Sequence, residues 1–557
     1  MGVAHQNLFQ SLRVLVSLHT VVAVILALTL LSHQHPANAE LSVGEIIYRQ
    51  GVLSSGAPLV ANREGGARAE GLDAACVNCH RRSGFGSKEG RIVIPPVASQ
   101  YLLRSNSTDG QGHLPYVDSM RLDHDPQYTE ETLARAIREG VDAEGKPLNY
   151  LMPRFDLNDT DMSALIDHLK QLNHQKSPGV SDTVLQFATI ITPDADPVKR
   201  QAMLDVMNHY FAAKNLVRFA PSPRLRASSR TVFVNKMFMV NRRWELHIWQ
   251  LTGPANTWEQ QLKQHFAQEP VLAVISGLGG KNWQPVHMFC EHAALPCIFP
   301  NTEVPVDAEH DFYSLYFNKG VLLEAGLIAK RILEPTSGKV AKVVHQIYRA
   351  GDSGEAGAQA LASLLKSHGI SVVNHILATG QSAAEAQRAV SDVDAFVLWL
   401  RPTDISALGS APTTSAAIFI SGLMGGLERA PLPAGWRDRT NITYPFDLPE
   451  KRRVPVDFAR GWFSIQKIPV VAEQVQVDTY LACGLLAETL GHMADTFVPD
   501  YLVERIEDML GHRILTGYYP RLSLAPGQRF ASKGGYIVHF VGPTGIKLAT
   551  DSGWIVP

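Results

Sequence analysis

The chain lacks a strong excess of either charge, because 51 lysines and arginines stand against 53 aspartates and glutamates among 557 residues. This balance gives no sign of the excess positive charge that is typical of nucleic-acid binding, and the sequence has no acidic or basic tail. It also has no convincing internal repeat and no long low-complexity tract, which argues against solenoid and fibrous architectures. The usual hydrolase, phosphate-loop and metalloprotease motifs are absent, so no catalytic signature points to an enzyme.

Long apolar runs are missing everywhere except near the N-terminus, so we expect no membrane span in the mature chain. Arg13 precedes the apolar run Val14–Leu31, and Ala37-Asn38-Ala39 then offers small residues at the spacing that signal peptidase recognises. This pattern predicts a signal peptide over residues 1–39. The run is longer than usual, which leaves an uncleaved N-terminal anchor as the alternative. In a Gram-negative cell either reading predicts the periplasm.

Cysteine is scarce, but two of the five cysteines lie in Cys76-Val77-Asn78-Cys79-His80. Two cysteines at this spacing followed by histidine are typical of c-type haem attachment. The two thiols can add to the haem vinyl groups, and the imidazole of His80 can then bind the iron. A redox dithiol or half of a zinc site would use the same cysteine spacing. The stretch resembles c-type cytochromes, which implies one covalently bound haem c as cofactor.

A second iron ligand is available downstream. The segment Gly145–Pro153 and the helix after it resemble the distal loop of a class I cytochrome c. That resemblance implies Met152 as the second axial ligand, and a thioether raises the reduction potential. The fallback ligands are Met120, His113 and His124. Iron bound by both His80 and Met152 has no vacancy, which favours electron carriage over catalysis at the iron.

Three amphipathic helices are predicted around the haem motif. One has apolar residues at three- and four-residue intervals, namely Met162, Leu165, Ile166, Leu169 and Leu172. The others are Val43–Val52 and Glu130–Glu139, while the Gly-, Asp- and Ser-rich stretch Ser105–Gln127 is predicted to be a loop. We therefore predict an all-α cytochrome c domain over residues 40–176.

Strands and helices alternate after the polar linker that follows this domain. The predicted strands are Val184–Thr192, Trp244–Leu251, Val271–Ser276, Pro296–Phe299, Ala341–Tyr348, Ser371–Leu377, Asp394–Leu400, Ala416–Ile420 and Tyr536–Phe540. Amphipathic helices between them indicate βαβ units and parallel sheets. Two such halves resemble the type I periplasmic binding fold of branched-chain amino acid receptors. We predict a two-lobed α/β domain of this type over residues 177–545 and a tail over 546–557.

The resemblance implies a ligand between the lobes, held by loops at the carboxyl ends of strands. The candidate ligand-binding residues are Ser276, Gly277, Gly279, Ser353, Arg401 and Ser421. Glycines in the first loop would let backbone N–H groups approach an anion, although a plain strand-to-helix turn explains them equally well. Arg401 is a candidate carboxylate clamp, with a solvated charge as the alternative.

The remaining cysteines agree with export. Cys290 and Cys297 lie close together in sequence, and we predict that they form a disulfide in an oxidising compartment. Cys483 lies on an apolar helix face and is predicted to be a buried, inert thiol. His287 and His292 flank Cys290, but their spacing matches no strong metal-ligand pattern.

The leading hypothesis from the sequence is a periplasmic haem c electron-transfer protein. Its α/β module would recruit a solute or a redox partner, and its electrons would come from a periplasmic dehydrogenase system or another cytochrome. The alternative is a solute-binding receptor or sensor of the branched-chain amino acid type, whose haem reports or couples to ligand binding. An enzyme acting on the bound solute ranks last, because no acid, base or nucleophile constellation is found.

Overall fold

The computed structural model describes residues 41–63, 65–89, 92–102, 127–173, 176–216, 242–307, 311–335, 341–388, 394–411, 416–493, 496–525, 527–542, 547–550 and 553–557. The predicted signal peptide lies outside these residues, as do the fallback ligands Met120, His113 and His124. The chain forms two compact units. The first contains the residues up to Ala75 together with Tyr150–His168, and the second contains Cys76–Asn149 and Leu169–Pro557.

The first unit combines two helices with a small sheet. Helix α1 (Val43–Gln50) begins at the cap Ser42 and ends at Gly51, whose φ of 65° suits glycine. Its strands are β1 (Val60–Asn62), β2 (Arg68–Glu70) and β5 (Arg154–Phe155), in the antiparallel order β2-β1-β5. Helix α5 (Asp159–Gln171) follows them. A Cβ on Gly44 would lie 2.0 Å from the carbonyl oxygen of Ala164, so α1 and α5 approach closely there.

The second unit opens with the haem motif. Helix α2 (Val77–His80) carries it, and strands β3 (Ser87–Glu89) and β4 (Ile92–Ile94) pair antiparallel after it. Helices α3 (Ser99–Leu102) and α4 (Glu130–Glu139) come next. The all-α prediction for residues 40–176 is therefore wrong in part. The five short strands β1–β5 have only two or three residues each, too few to show an alternating pattern.

The first α/β lobe is built on a parallel five-stranded sheet in the order β10-β9-β8-β6-β7. Its strands are β6 (Val184–Ile191), β7 (Arg243–Gln250), β8 (Ala273–Ile275), β9 (Cys297–Ile298) and β10 (Ser314–Leu315). Helices α6 (Pro197–Leu216), α7 (Trp258–Gln268) and α8 (Gln284–His292) connect them. This is the βαβ alternation that the sequence predicted.

The second lobe has a seven-stranded sheet in the order β12-β11-β13-β14-β15-β16-β17. Its strands pair in parallel up to β15, whereas β16 pairs antiparallel with both β15 and β17. These strands are β11 (Val343–Arg349), β12 (Ser371–Leu377), β13 (Ala395–Trp399), β14 (Ala417–Ile420), β15 (Thr440–Tyr444), β16 (Tyr536–Phe540) and β17 (Leu548–Thr550). The predicted tail over 546–557 thus contributes an edge strand.

Helices cover both sheets. Those of the second half are α9 (Gly320–Leu333), α10 (Ser353–Lys366), α11 (Ala383–Arg388), α12 (Pro402–Ser406), α13 (Gly422–Gly425), α14 (Ala434–Arg437), α15 (Pro449–Gln466), α16 (Glu473–Met493) and α17 (Pro499–Leu510). Helix α16 packs against α6 of the first lobe and against α17. No helix among the described residues is both long and apolar enough to cross a membrane.

Candidate functional site

A cleft of about 1170 Å³ lies between the two lobes. Its walls come from the loops that follow β6, β8 and β9 in one sheet and β11, β13 and β14 in the other. Open α/β sheets bind small molecules at the carboxyl ends of their strands, so the cleft lies where the fold places ligand sites.

Three of the six predicted ligand-binding residues line the cleft, namely Gly279, Ser353 and Arg401. Ser276 does not, because its side chain is fully buried and its Oγ lies 2.9 Å from Thr479 Oγ1. Ser421 is also fully buried, where it caps α13 and donates a hydrogen bond to Glu324. Neither of these two serines therefore lines the cleft.

The glycines of the first loop have a packing role. A Cβ on Gly277 or Gly279 would lie 2.5 or 2.4 Å from the indole of Trp283. Contacts that short are not tolerated, so the indole can pack there only against glycine. Gly277 is outside the cleft lining, and the plain strand-to-helix turn is the better interpretation of its conformation.

Arg401 clamps carboxylates, but they belong to the protein. Its Nη1 and Nη2 donate to Glu303 at 2.8 and 2.6 Å, and Nη2 also donates to Asp352 at 2.7 Å. Ser353 Oγ donates to Glu303 at 2.7 Å, and Lys199 Nζ lies 3.6 Å from it. These contacts join the loop after β9 in the first lobe to the loops after β11 and β13 in the second.

The charge of Glu303 is strongly favoured in this arrangement. Burial alone would raise the pKa of Glu303, but the hydrogen bonds and positive charge of Arg401 outweigh it and lower the pKa to about 2. The sequence analysis missed Glu303, because a single glutamate in a loop carries no periodic or motif signal.

A second carboxyl group lies in the cleft wall on α16. Asp478 is only 5% exposed, and burial raises its pKa to about 7. Its Oδ2 accepts a hydrogen bond from Tyr519 at 3.3 Å, whereas Oδ1 has no aligned donor among the described residues. Lys281 and Arg429 line the same cleft, are exposed, and have no ion-pair partner in the described part of the chain. The cleft therefore offers a buried carboxyl group and two exposed cations.

The two cysteines of the haem motif are not joined in a disulfide. Cys76 and Cys79 are both half-buried, and burial raises the pKa of Cys76 to about 12. His80 is buried, and its Nδ1 lies 2.9 Å from the carbonyl oxygen of Pro95. An Nδ1–H that donates to this carbonyl fixes the tautomer in which Nε2 keeps its lone pair. Burial also lowers the pKa of His80, which favours the neutral imidazole that binds metals.

Met152, the predicted second axial ligand, belongs to the first unit. Its side chain is half-buried, and its carbonyl oxygen accepts a hydrogen bond from Arg154 at 2.7 Å.

The segment after His80 is anchored by helix α17. The backbone N–H of Ser83 donates to Glu504 Oε1 at 2.8 Å, and its Oγ donates to Oε2 of the same carboxyl group. Arg81 pairs with Glu507 at 3.2 Å. Burial raises the pKa of Glu504 to about 8, against the favourable contact with Ser83. These partners lie more than 400 positions apart, so no local pattern could have revealed them.

Aromatic contacts complete the anchor. Phe85 packs edge to face on Tyr501 of α17 with ring centroids 4.8 Å apart. The guanidinium of Arg82 lies 4.6 Å from the ring centroid of Phe312, just before β10. Phe85 also belongs to the same apolar core as the first α/β lobe. The haem motif is thus continuous with that lobe, whereas the sequence predicted a separate domain.

The disulfide and the third free cysteine lie apart from these sites. Cys290 and Cys297 are joined by a disulfide, with Cα atoms 6.1 Å apart, and Cys483 is a fully buried free thiol.

No family model and no curated protein matches the chain. Among solved structures, a fatty acid ABC transporter substrate-binding protein from Thermomonospora curvata is 13% identical, with a TM-score of 0.47 over 69% of this chain and 95% of that one. The leucine-binding protein LivK from Thermotoga maritima is 12% identical, with a TM-score of 0.47 over 67% and 99%. The branched-chain amino acid binding protein LivJ from Streptococcus pneumoniae, solved with isoleucine, is 10% identical, with a TM-score of 0.46 over 67% and 100%. Identities and TM-scores this low establish no shared ligand.

Proposed function

We propose that the chain is an exported solute-binding receptor that carries one c-type haem. The observation that carries this proposal is the cleft between two α/β lobes, at the carboxyl ends of their parallel strands. Export is supported by the signal pattern over residues 1–39 and by the Cys290–Cys297 disulfide.

The cleft favours a small solute that carries opposite charges. Asp478 would accept an ammonium group, because a nearby cation stabilises its ionised form. Lys281 or Arg429 would pair with a carboxylate across the cleft. Amino acids have both groups and are therefore the first class to test.

The residues of the haem motif fit a covalently bound haem. Cys76 and Cys79 are not joined in a disulfide, and the contact of His80 with Pro95 leaves Nε2 available to bind iron. Met152 is proposed as the second ligand, supported by its half-buried thioether in the loop before α5. A haem held in this way supplies one-electron transfer.

Electron carriage is the second candidate function, favoured by the geometry of His80. The haem would exchange electrons with a periplasmic dehydrogenase or another cytochrome. Helix α17 anchors the segment after His80 and packs against α16, which carries Asp478. Packed helices therefore connect the haem motif with the cleft in which the solute would bind.

The haem proposal is tested by denaturing electrophoresis with haem staining and by the pyridine haemochrome spectrum. We expect the full chain, coexpressed with a cytochrome c maturation system, to retain haem after denaturation. The Cys76→Ala/Cys79→Ala variant should lose it, whereas Cys483→Ala, which removes a thiol elsewhere, should retain it. A wild-type chain without covalent haem under these conditions would refute the proposal.

A further inference from the structure

A compact group of metal-ligand side chains lies in the first α/β lobe, outside the cleft lining and outside the Cys76–His80 motif. His287 and Glu291 are one turn apart on α8, and Asp311 precedes β10. One ligand atom from each of these three residues lies within 4.8 Å of the other two. His287 is 1% exposed. Its Nε2 is 2.9 Å from Asp311 Oδ2 but lacks the alignment of a hydrogen bond, and it has no other partner among the described residues.

The scaffold fixes two of these side chains, those of His287 and Glu291, before any ion binds. The disulfide Cys290–Cys297 ties α8 to β9. Tyr316 OH lies 2.9 Å from Nδ1 of His287, so the outer nitrogen of the ring is held while Nε2 faces the carboxylates. The Glu291 carboxylate accepts hydrogen bonds of 2.7–3.1 Å from three successive backbone N–H groups, those of Phe312, Tyr313 and Ser314. A ligand set held in this way loses little conformational entropy on binding an ion.

The charges at this place favour a divalent cation. Two partly buried carboxylates this close repel each other. The cations packed nearby are already engaged. Arg529 pairs with Glu507 and donates to the carbonyl oxygen of Phe312, while Arg82 stacks on the ring of that phenylalanine. A divalent ion would neutralise both carboxylates and satisfy Nε2.

We propose that His287, Glu291 and Asp311 bind a divalent transition-metal ion of the zinc class. One imidazole nitrogen and two carboxylate oxygens suit Zn²⁺ better than Ca²⁺, which prefers an all-oxygen shell of six to eight ligands. Three protein ligands leave room for water on the ion. The ion would tie α8 to the start of β10. The sequence alone did not indicate this site, because Asp311 is distant along the chain and is brought to α8 only by the sheet.

The test is calorimetric titration of the EDTA-treated full chain with ZnCl₂ and, separately, CaCl₂. We expect one equivalent of Zn²⁺ to bind and to raise the melting temperature, and Ca²⁺ to bind at least tenfold more weakly. His287→Gln and Asp311→Asn should each weaken Zn²⁺ binding by at least tenfold. His345→Gln is the matched control, because His345 and His375 form a histidine pair elsewhere, with ring nitrogens 2.9 Å apart.

Absence of Zn²⁺ binding to the wild-type chain would overturn the proposal. Binding that is lost in His345→Gln and unchanged in Asp311→Asn would overturn it too, because the ion would then lie at the other histidine pair. If His287→Gln fails to fold by circular dichroism, Asp311→Asn decides the matter, since this change preserves side-chain volume at a partly exposed position.

Discussion

Replacing Glu303 by glutamine should weaken the contact that joins the two lobes and destabilise the folded chain. The substitution keeps the shape of the side chain but removes the charge that Arg401 holds through two hydrogen bonds. Loss of one partner from a fully buried ion pair costs about 3–5 kcal/mol. The side chains of Arg401 and Glu303 are 32% and 23% exposed. Screening by solvent therefore reduces the expected loss to about 1–2 kcal/mol at pH 7.

The loss of stability in Glu303→Gln should depend on pH in a defined direction. The pKa of Glu303 falls from 4.5 to about 2 in the folded chain, so its ionised form is favoured by folding. That contribution is fully present above pH 4.5 and is lost as the pH falls towards 2. Glutamine does not titrate, so the difference between wild type and Glu303→Gln should shrink as the pH drops below 4.5.

Thermal unfolding of both proteins at pH 7, 5, 4 and 3.5 measures this difference. The matched control is Asp457→Asn, which breaks the exposed pairs of Asp457 with Arg453 and Arg460 and should change stability by less than about 0.5 kcal/mol. A loss in Glu303→Gln no larger than in the control, or one that does not change with pH, would refute the assigned role of the Arg401 contact.

Two further substitutions test the packing of a glycine and the ionisation of a buried carboxyl group. Gly279→Ala should destabilise the first lobe by about 1–3 kcal/mol, because its Cβ would meet Trp283. The control Gly461→Ala, in the open interior of α15, should instead be neutral or stabilising. Equal melting temperatures for both variants would contradict the packing argument. Because burial raises the pKa of Glu504 to about 8, the wild type should lose stability as the pH rises from 4.5 to 8. Glu504→Gln should remove this loss, so its melting temperature should exceed that of the wild type more at pH 9 than at pH 5, and equal differences at both pH values would contradict the assignment.

The sequence predicted those parts of the fold that depend on local pattern. The strand Tyr536–Phe540 and the helix Glu130–Glu139 have the predicted bounds, because each shows a clear apolar pattern between breaks. The two-lobed α/β arrangement followed from the alternation of such elements. Short strands such as Arg154–Phe155 were missed, because two residues cannot show a period.

The site was predicted less completely, because side-chain direction and long-range contacts are not local properties. Ser276 follows its strand as predicted but adopts a φ of 49° and faces Thr479 in the interior. Arg401 was predicted to bind the carboxylate of a ligand, but it contacts Glu303, a carboxylate of the protein that comes from the other lobe. Asp478 lies on α16, far along the chain from β6, the first strand of the first lobe. It reaches the cleft only through the chain topology.

Thermal unfolding of the full chain against a panel of amino acids tests the receptor proposal most directly. A solute present at a hundredfold excess over its dissociation constant should stabilise the folded state by about 2.7 kcal/mol. We expect at least one amino acid to raise the melting temperature of the wild type and of Asp182→Asn, an exposed position outside the cleft. The same solute should have little effect on Asp478→Asn. A panel that raises no melting temperature, or raises it equally in Asp478→Asn, would contradict the proposed binding of amino acids in the cleft.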